Sequence, residues 1–283
     1  MPTVEHVLLT RFNLPSGGVE ARIRASDAWL ERRVALFARY CAPSVAVQAG
    51  PRPRWIVYLD PESPGWLVDA LSPYVDTGLF TPLYRAEVPP ATLRADLRAV
   101  TRGADLLVTT NLDNDDGLAV NFSERVRRAA AASTERRALY LTHGLIKGPE
   151  GVYARTDRVN AFCSVVEPAR QPVTCWADWH NRLSRHMPVT ELGGPPAWLQ
   201  VIHGTNVSNR VRGRLVSPSP WTHLFPFALD DMPLPRRRLL VHDRLVRAPL
   251  RSARDVSRAL VRRAAVATLG KEGLQSLRSQ VHG

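Results

Sequence analysis

The five residues Leu106 to Thr110 have no polar face. A strand with one solvated side alternates apolar and polar residues, so a run that is apolar or β-branched throughout is predicted to be covered on both sides, as in a parallel sheet. Directly after it stand Asp113, Asn114, Asp115 and Asp116. Carboxylates this close repel one another and cost stability unless a cation, hydrogen bonds or water offsets them. One reading is a solvated turn, because Asp and Asn favour turns and Gly117 helps the chain reverse. The other is a cation site. It is not an EF-hand: Asp113, Asp115 and Glu124 have the right spacing, but Gly117 supplies no side-chain oxygen, Leu118 stands where glycine is required, and a strand leads in. Leu118, Phe122 and Val126 then recur every fourth residue and predict a helix. A strand, an acidic turn and a helix form an α/β layout in which ligands sit outside the carboxyl ends of strands.

The rest of the first half has the same grammar. Residues 5–12 (EHVLLTRF) and 53–60 (PRWIVYLD) read as two more buried strands. Between the strands lie three predicted helices. SDAWLERRVALFARYCAPSV starts at Ser26 or Asp27 and carries a stripe of Trp29, Arg33, Leu36, Phe37 and Tyr40; PGWLVDALSPY is the second; ATLRADLRAVTRG ends at Gly103. The order β, α, β, α, α, β implies a parallel sheet with helices on both faces. The second half changes character. Residues 136–157 predict a hairpin around Gly148-Pro149-Glu150-Gly151, with Lys147 exposed beside the turn. An extended segment at 158–168, a late strand ending at His203 and a proline-rich strap over 217–235 follow. No repeat or low-complexity linker divides the body, so residues 1–235 are expected to form one domain with a basic, helical tail at 236–283, in which Arg251, Arg254, Arg258 and Arg262 line one face that either lies on anionic lipid or packs on the body as a solvated face.

Charge and composition narrow the function. Of the net +12, the tail holds +9, with twelve Arg or Lys against Asp243, Asp255 and Glu272. A nucleic-acid reader spreads basic and aromatic residues over a face of its body, so no nucleic-acid partner is expected. The chain is long enough to bury about three quarters of its unfolded surface. Met1 to Thr10 lacks a basic lead, and no uninterrupted apolar stretch of roughly 18 residues is present. The expected place is the cytoplasm, with peripheral contact at the inner face of the plasma membrane through the tail. Cys41, Cys163 and Cys175 form no CxxC pair and read as reduced structural thiols.

Four blocks in this order, LLTRFN, WLERRVALFARYCAPSVAVQ, the strand with LDNDDG, and WLQVIHGTNVSN, resemble the bacterial family of putative rhamnosyltransferases, within the GT-A glycosyltransferases. The resemblance covers about residues 5 to 210. It implies a GT-A-like α/β fold, with a Rossmann-type parallel nucleotide-binding half followed by a mixed half. It also implies transfer of a sugar, rhamnose by the family's name, from a nucleotide-sugar donor to a glycan, lipid-linked or small-molecule acceptor, with Mn²⁺ or Mg²⁺ as cofactor.

Such a cation takes one or two protein carboxylates and completes its shell with phosphate oxygens and water. Asp115 is the first choice for direct ligation. By the resemblance Asp113 lies near the ribose or a metal-bound water, Asp116 holds the turn or aids ligation, and His203 completes the metal shell, with Gly204 allowing close approach to the diphosphate. Asp60 falls where related folds hold the base or ribose, or else caps its turn. Arg11 offers a planar fork to diphosphate or base. If the enzyme inverts configuration, the acceptor hydroxyl needs a general base; Asp178, at the start of a predicted helix in TCWADWHNRL, and Glu167, closing CSVVEP, are the candidates, with His180 beside Asp178 serving the acceptor or the helix cap. Two other readings stand beside this one: a non-enzymatic protein using its Arg-rich tail on an anionic polymer or membrane, and a nucleotidyltransferase, which would want a Gly-rich phosphate loop that Gly17 and Gly18 do not provide.

Overall fold

The computed structural model describes residues 2–15, 27–133, 135–203, 211–251, 253–254 and 257. The three strands expected from their apolar runs are β1 (Val4–Arg11), β2 (Arg54–Leu59) and β4 (Leu106–Asn111). Between β2 and β4 lies a strand that the sequence reading missed, β3 (Thr81–Tyr84). It has four residues, contains Pro82 and is only half-buried. Proline and poor burial are tolerated there because β3 is the edge strand. Helices α1 (Asp27–Leu36), α2 (Ala42–Ala46), α3 (Gly65–Asp76) and α4 (Pro90–Val100) connect the strands. A π-turn over Phe37–Cys41 joins α1 to α2. The corrected order is therefore β, α, β, α, β, α, β.

After the acidic turn come β5 (Gly117–Leu118), α5 (Phe122–Ala131), β6 (Arg137–Leu141), β7 (His143–Gly148), β8 (Gly151–Thr156), β9 (Ser164–Pro168), β10 (Val189–Leu192), β11 (Trp198–Val201) and β12 (Arg214–Val216). Among the described residues the first sheet runs β10-β6-β9-β4-β1-β2-β3 and the second β12-β8-β7-β11-β5. β4, β1, β2 and β3 are mutually parallel, whereas β9 is antiparallel to both β4 and β6. The expected hairpin is β7 with β8, paired from Gly148↔Gly151. Its first run is cut at Thr142, where the chain leaves one sheet for the other. Gly144 makes that crossing dense, since a Cβ there would lie 2.0 Å from the Trp198 ring.

Alternation along the buried strands splits the interior into two layers. Leu8, Val57 and Val108 pack on one face of the first sheet, and Val7, Leu9, Ile56, Tyr58 and Leu107 on the other. One polar cluster crosses this core: His6 Nδ1 lies 2.9 Å from Ser123 Oγ on α5, and His6 Nε2 lies 2.8 Å from Thr110 Oγ1, which meets Ser164 Oγ at 2.6 Å. A third layer forms where Leu224, Phe225 and Leu229 of the proline-rich strap pack on Leu145, Val152 and Leu199 of the second sheet.

Two expectations are corrected here. Lys147 is buried, not exposed: its ammonium donates to Ala228 O at 2.9 Å and to Asp231, and sits 4.9 Å from the Tyr40 ring, so it clamps the strap. Arg251, expected on a lipid-facing stripe with Arg254, Arg258 and Arg262, turns inward. It bonds both oxygens of buried Asp243 at 2.8 Å and Gly213 O at 2.9 Å, and Asp243 also accepts Leu215 N–H. The start of the tail, α6 (Arg237–His242) and a π-turn over Asp243–Arg247, is thereby tied to β12. Arg258 and Arg262 lie outside the described residues.

Candidate functional site

The parallel pairing of β4 with β1 brings the acidic turn beside the end of β1, and the turn is pinned from both directions. Asn114 Nδ2 donates to Phe12 O at 2.9 Å, and Leu112 N–H to Leu9 O at 3.0 Å. On the other side β5 pairs antiparallel with β11, Trp198 opposite Leu118, which carries the end of β11 back past the aspartates. Val201 N–H donates to Asp116 Oδ1 at 2.8 Å, and His203 Nε2 lies 3.1 Å from Asp115 Oδ2.

The three aspartates are electrostatically distinct. Asp116 is buried, and desolvation followed by Asp115 and Asp113 holds its pKa well above the carboxylate range. Asp115 is also buried; desolvation opposes its ionisation, but the hydrogen bond from His203 and the charge of Arg33 outweigh it and leave the pKa lowered. Arg33 Nη1 lies 2.5 Å from Asp115 Oδ2. Asp113 reaches solvent in the cleft yet is enclosed by protein on most sides, so desolvation and then Asp115 raise its pKa. Behind the turn the Cys41 thiol donates to Asp113 O at 3.5 Å, and burial with the nearby aspartates keeps it protonated.

Asp113 opens into a cleft of about 660 Å³ lined also by Arg11, Arg155, Asp178, Trp179 and Arg212. Arg11 lies over the Trp176 ring, 4.0 Å from its centre, and Trp176 Nε1 donates to Asn111 Oδ1 at 2.8 Å. Asp178 Oδ1 accepts Trp179 N–H at 2.7 Å, and Oδ2 lies 3.0 Å from His186 Nε2; these bonds, His186 first, lower its pKa. The helix expected at Asp178 is a bend followed by a short 3-10 turn, His180–Arg185. His180 has its pKa lowered by burial, and its carbonyl accepts the Tyr140 hydroxyl. A hollow of about 670 Å³ at the amino ends of β1 to β3, lined by Arg52, Arg54, Arg102 and Arg127, contains none of the expected site residues.

The structure thus brings Arg11, Asp113 and Asp178 to one cleft, with Asp115 and His203 paired behind Asp113. Asp60 does not line it. Its Oδ1 accepts Glu62 N–H at 2.8 Å, which is a turn-capping role, while its own N–H donates to Asn13 at 3.1 Å. Glu167 is a correction. Because β9 is antiparallel, Glu167 pairs with Leu107 near the start of β4, at the end of the sheet away from the acidic turn. It is fully buried and accepts from Arg136 Nε at 2.7 Å and from the Val173 and Thr174 amides at 2.8 Å. Gly204, Thr205 and Asn206 lie outside the described residues. The sequence reading missed Arg33 as a site residue, although a charge on the apolar stripe of α1 was a usable signal. It also missed Trp179, 70% exposed at the cleft.

A family model described as "Putative rhamnosyl transferase" matches residues 5–215. No curated protein matches the chain in sequence. Among solved structures, S. aureus TarS is similar at 10% identity and TM-score 0.42 over 70% of this chain; the match spans only 37% of the length of TarS. The mannosyltransferase PcManGT from Pyrobaculum calidifontis, in complex with GDP-Man and Mn²⁺, is similar at 14% identity and TM-score 0.45, over 99% of this chain and 80% of that one. A putative glucose-1-phosphate thymidylyltransferase from Bacillus anthracis is similar at 10% identity and TM-score 0.38, over 69% and 88%. The architecture is α/β, a parallel half carrying the acidic turn followed by a mixed half.

Proposed function

Because the chain belongs to the family of putative rhamnosyl transferases, we propose that it transfers a sugar, rhamnose or a related hexose, from a nucleotide-sugar donor to an acceptor hydroxyl in the cleft beside Asp113. The observation that carries this reading is the acidic turn, pinned at the carboxyl edge of the parallel strands and facing a cleft large enough for a donor.

Asp115 and His203 converge to within 3.1 Å, a carboxylate and an imidazole suited to one divalent cation. Among the described residues no group of three His, Cys, Asp or Glu side chains is arranged to hold a metal. That pair therefore fits Mn²⁺ or Mg²⁺ completed by diphosphate oxygens and water, not a cation caged by protein. When bound, the cation supplies positive charge against the negative charge that builds on the leaving diphosphate. Arg11 and Arg155 add fixed positive charge to the cleft, and Asp113 offers its open carboxylate to a ribose or a water. Asp178, ionised and turned to the same cleft, is positioned to take the proton of an acceptor hydroxyl. A carboxylate has about four lone-pair sites, so its two present bonds leave capacity for a third. Trp179 gives the acceptor an exposed aromatic face.

The membrane is the favoured source of the acceptor. Leu239, Val241, Leu245, Val246 and Leu250 are exposed along the first part of the tail, interleaved with Arg237, Arg238, Arg244 and Arg247. Apolar residues flanked by arginines suit an anionic lipid surface. No described helix is long and apolar enough to cross a bilayer.

Incubation with a panel of nucleotide sugars and acceptors, and in parallel with nucleoside triphosphates and sugar 1-phosphates, tests the reading. A glycosyltransferase releases the nucleoside diphosphate or monophosphate as the sugar moves, whereas a nucleotidyltransferase consumes a nucleoside triphosphate and releases pyrophosphate. Pyrophosphate release, or no sugar transfer with any donor and acceptor in Mn²⁺, would overturn it.

A further inference from the structure

Arg33 makes the least expected contact at the acidic turn. From α1 its Nη1 lies 2.5 Å from Asp115 Oδ2 and 3.1 Å from Asn114 Oδ1, and its Cζ sits 4.8 Å from the Trp29 ring centre. His203 Nε2 approaches the same Asp115 oxygen at 3.1 Å. A carboxylate oxygen offers about two lone-pair sites, so this one is already filled by two donors. The imidazole is constrained as well. A nitrogen that donates its hydrogen to Asp115 cannot present a lone pair to a metal at the same time. Arg33 and a divalent cation would therefore compete for Asp115 Oδ2, and His203 Nε2 cannot serve Asp115 and a metal at once.

We propose that Arg33 is a positioning residue that holds Asp115 in the substrate-free protein and must release it before a divalent cation binds. This rests on the cation reading of the site given above. The guanidinium sets positive charge directly against Asp115 and fixes the orientation of its carboxylate. Release does not send Arg33 far, because Asn114 and Trp29 still flank it. Its planar fork then suits the oxygens of an incoming diphosphate. The exchange of one cationic partner for another thus makes cation binding weak alone and strong with a nucleoside diphosphate.

Mn²⁺ binding to the full chain without nucleotide, read by the electron paramagnetic resonance signal of free Mn²⁺, tests this directly. Arg33→Met and Arg33→Gln remove the competing charge and are expected to bind Mn²⁺ about tenfold more tightly than wild type, given what charge-assisted hydrogen bonds contribute. Arg33→Lys keeps a competing cation and should stay near the wild-type affinity. UDP and GDP, added in turn, should tighten Mn²⁺ binding in wild type more than in Arg33→Met. Equal or weaker binding by Arg33→Met and Arg33→Gln, with Asp115→Asn abolishing it, would overturn the competition alone. Unchanged Mn²⁺ binding in Asp115→Asn would overturn the cation reading beneath it. If Arg33→Met does not fold, Arg33→Gln, which retains a hydrogen-bonding amide near Asn114, gives the decision.

Discussion

Asp178 and Glu167 have the same chemistry in the sequence and opposite circumstances in the fold. Asp178 stands at the cleft with two hydrogen bonds, and Glu167 lies fully buried under three donors. The two should separate cleanly by mutation. Asp178→Asn is expected to lower kcat by about 100-fold or more, the usual contribution of a general base, while the melting temperature stays close to wild type. Glu167→Gln should destabilise the protein by about 2–3 kcal/mol, since it breaks a buried charge pair whose partner Arg136 is partly solvated. Urea unfolding and steady-state assays on both variants check the split; a stable, inactive Glu167→Gln protein would return Glu167 to the site. Sequence alone could not tell them apart. An apolar run ending in a carboxylate says nothing about which way the strand runs, and the direction of β9 decides where Glu167 lands. Arg33 was hidden for a related reason, because a helix stripe shows which residues face inward but not what they meet.

Elements with two buried faces were legible, because β1, β2 and β4 carry continuous apolar runs that only a covered strand explains. β3 was not, since four half-buried residues with a proline have no such pattern. The clamp at Lys147 was not legible either, because its partners lie more than eighty residues away. The polar cluster that joins β1 and β4 to α5 gives a pH prediction. Burial first, and Arg127 second, push His6 down to about 3 from 6.5. A histidine held neutral in the folded state takes up its proton only on unfolding, so stability is intact above about pH 6.5 and falls with pH below it. The slope is about 1.4 kcal/mol per pH unit until the folded pKa is reached. Between pH 7 and pH 4 the stability difference between wild type and His6→Gln, read from urea midpoints, should shrink along that line, since the raised carboxyls of Asp113 and Asp116 act alike in both proteins. The strap offers a second test at this scale: Lys147→Met removes the donor to the Ala228 carbonyl and leaves Asp231 to Arg39, and should cost about 1–3 kcal/mol, with proteolysis appearing first between residues 219 and 232.

For the whole molecule, the uneven charge is the feature that composition already displayed, and packing has revised its use. Asp243 and Arg251 fasten the first part of the tail to β12, so Arg251 is not available to a lipid surface. The exposed leucines and valines beside Arg237, Arg238, Arg244 and Arg247 remain in play. Truncation after Pro235 is accordingly expected to spare donor binding and to lower transfer to a lipid-linked acceptor. Wild-type binding to vesicles containing phosphatidylglycerol should weaken as salt rises, because each basic residue near an anionic surface contributes about 1 kcal/mol and salt screens it. Equal flotation of the full and truncated chains with such vesicles would refute the membrane role. Loss of solubility on truncation would show instead that the hydrogen bonds of Asp243 and Arg251 to Leu215 and Gly213 make the tail part of the core.

Asp115 and His203 face one another across the only two-residue ladder, β5 with β11, that brings the acidic turn of the first sheet to the edge of the second among the described residues. A cation gripped from both sides would add a rivet to that joint. Filling the site would then stiffen the seam between the two halves of the molecule, so that the arrival of a donor is felt as rigidity well beyond the atoms it touches.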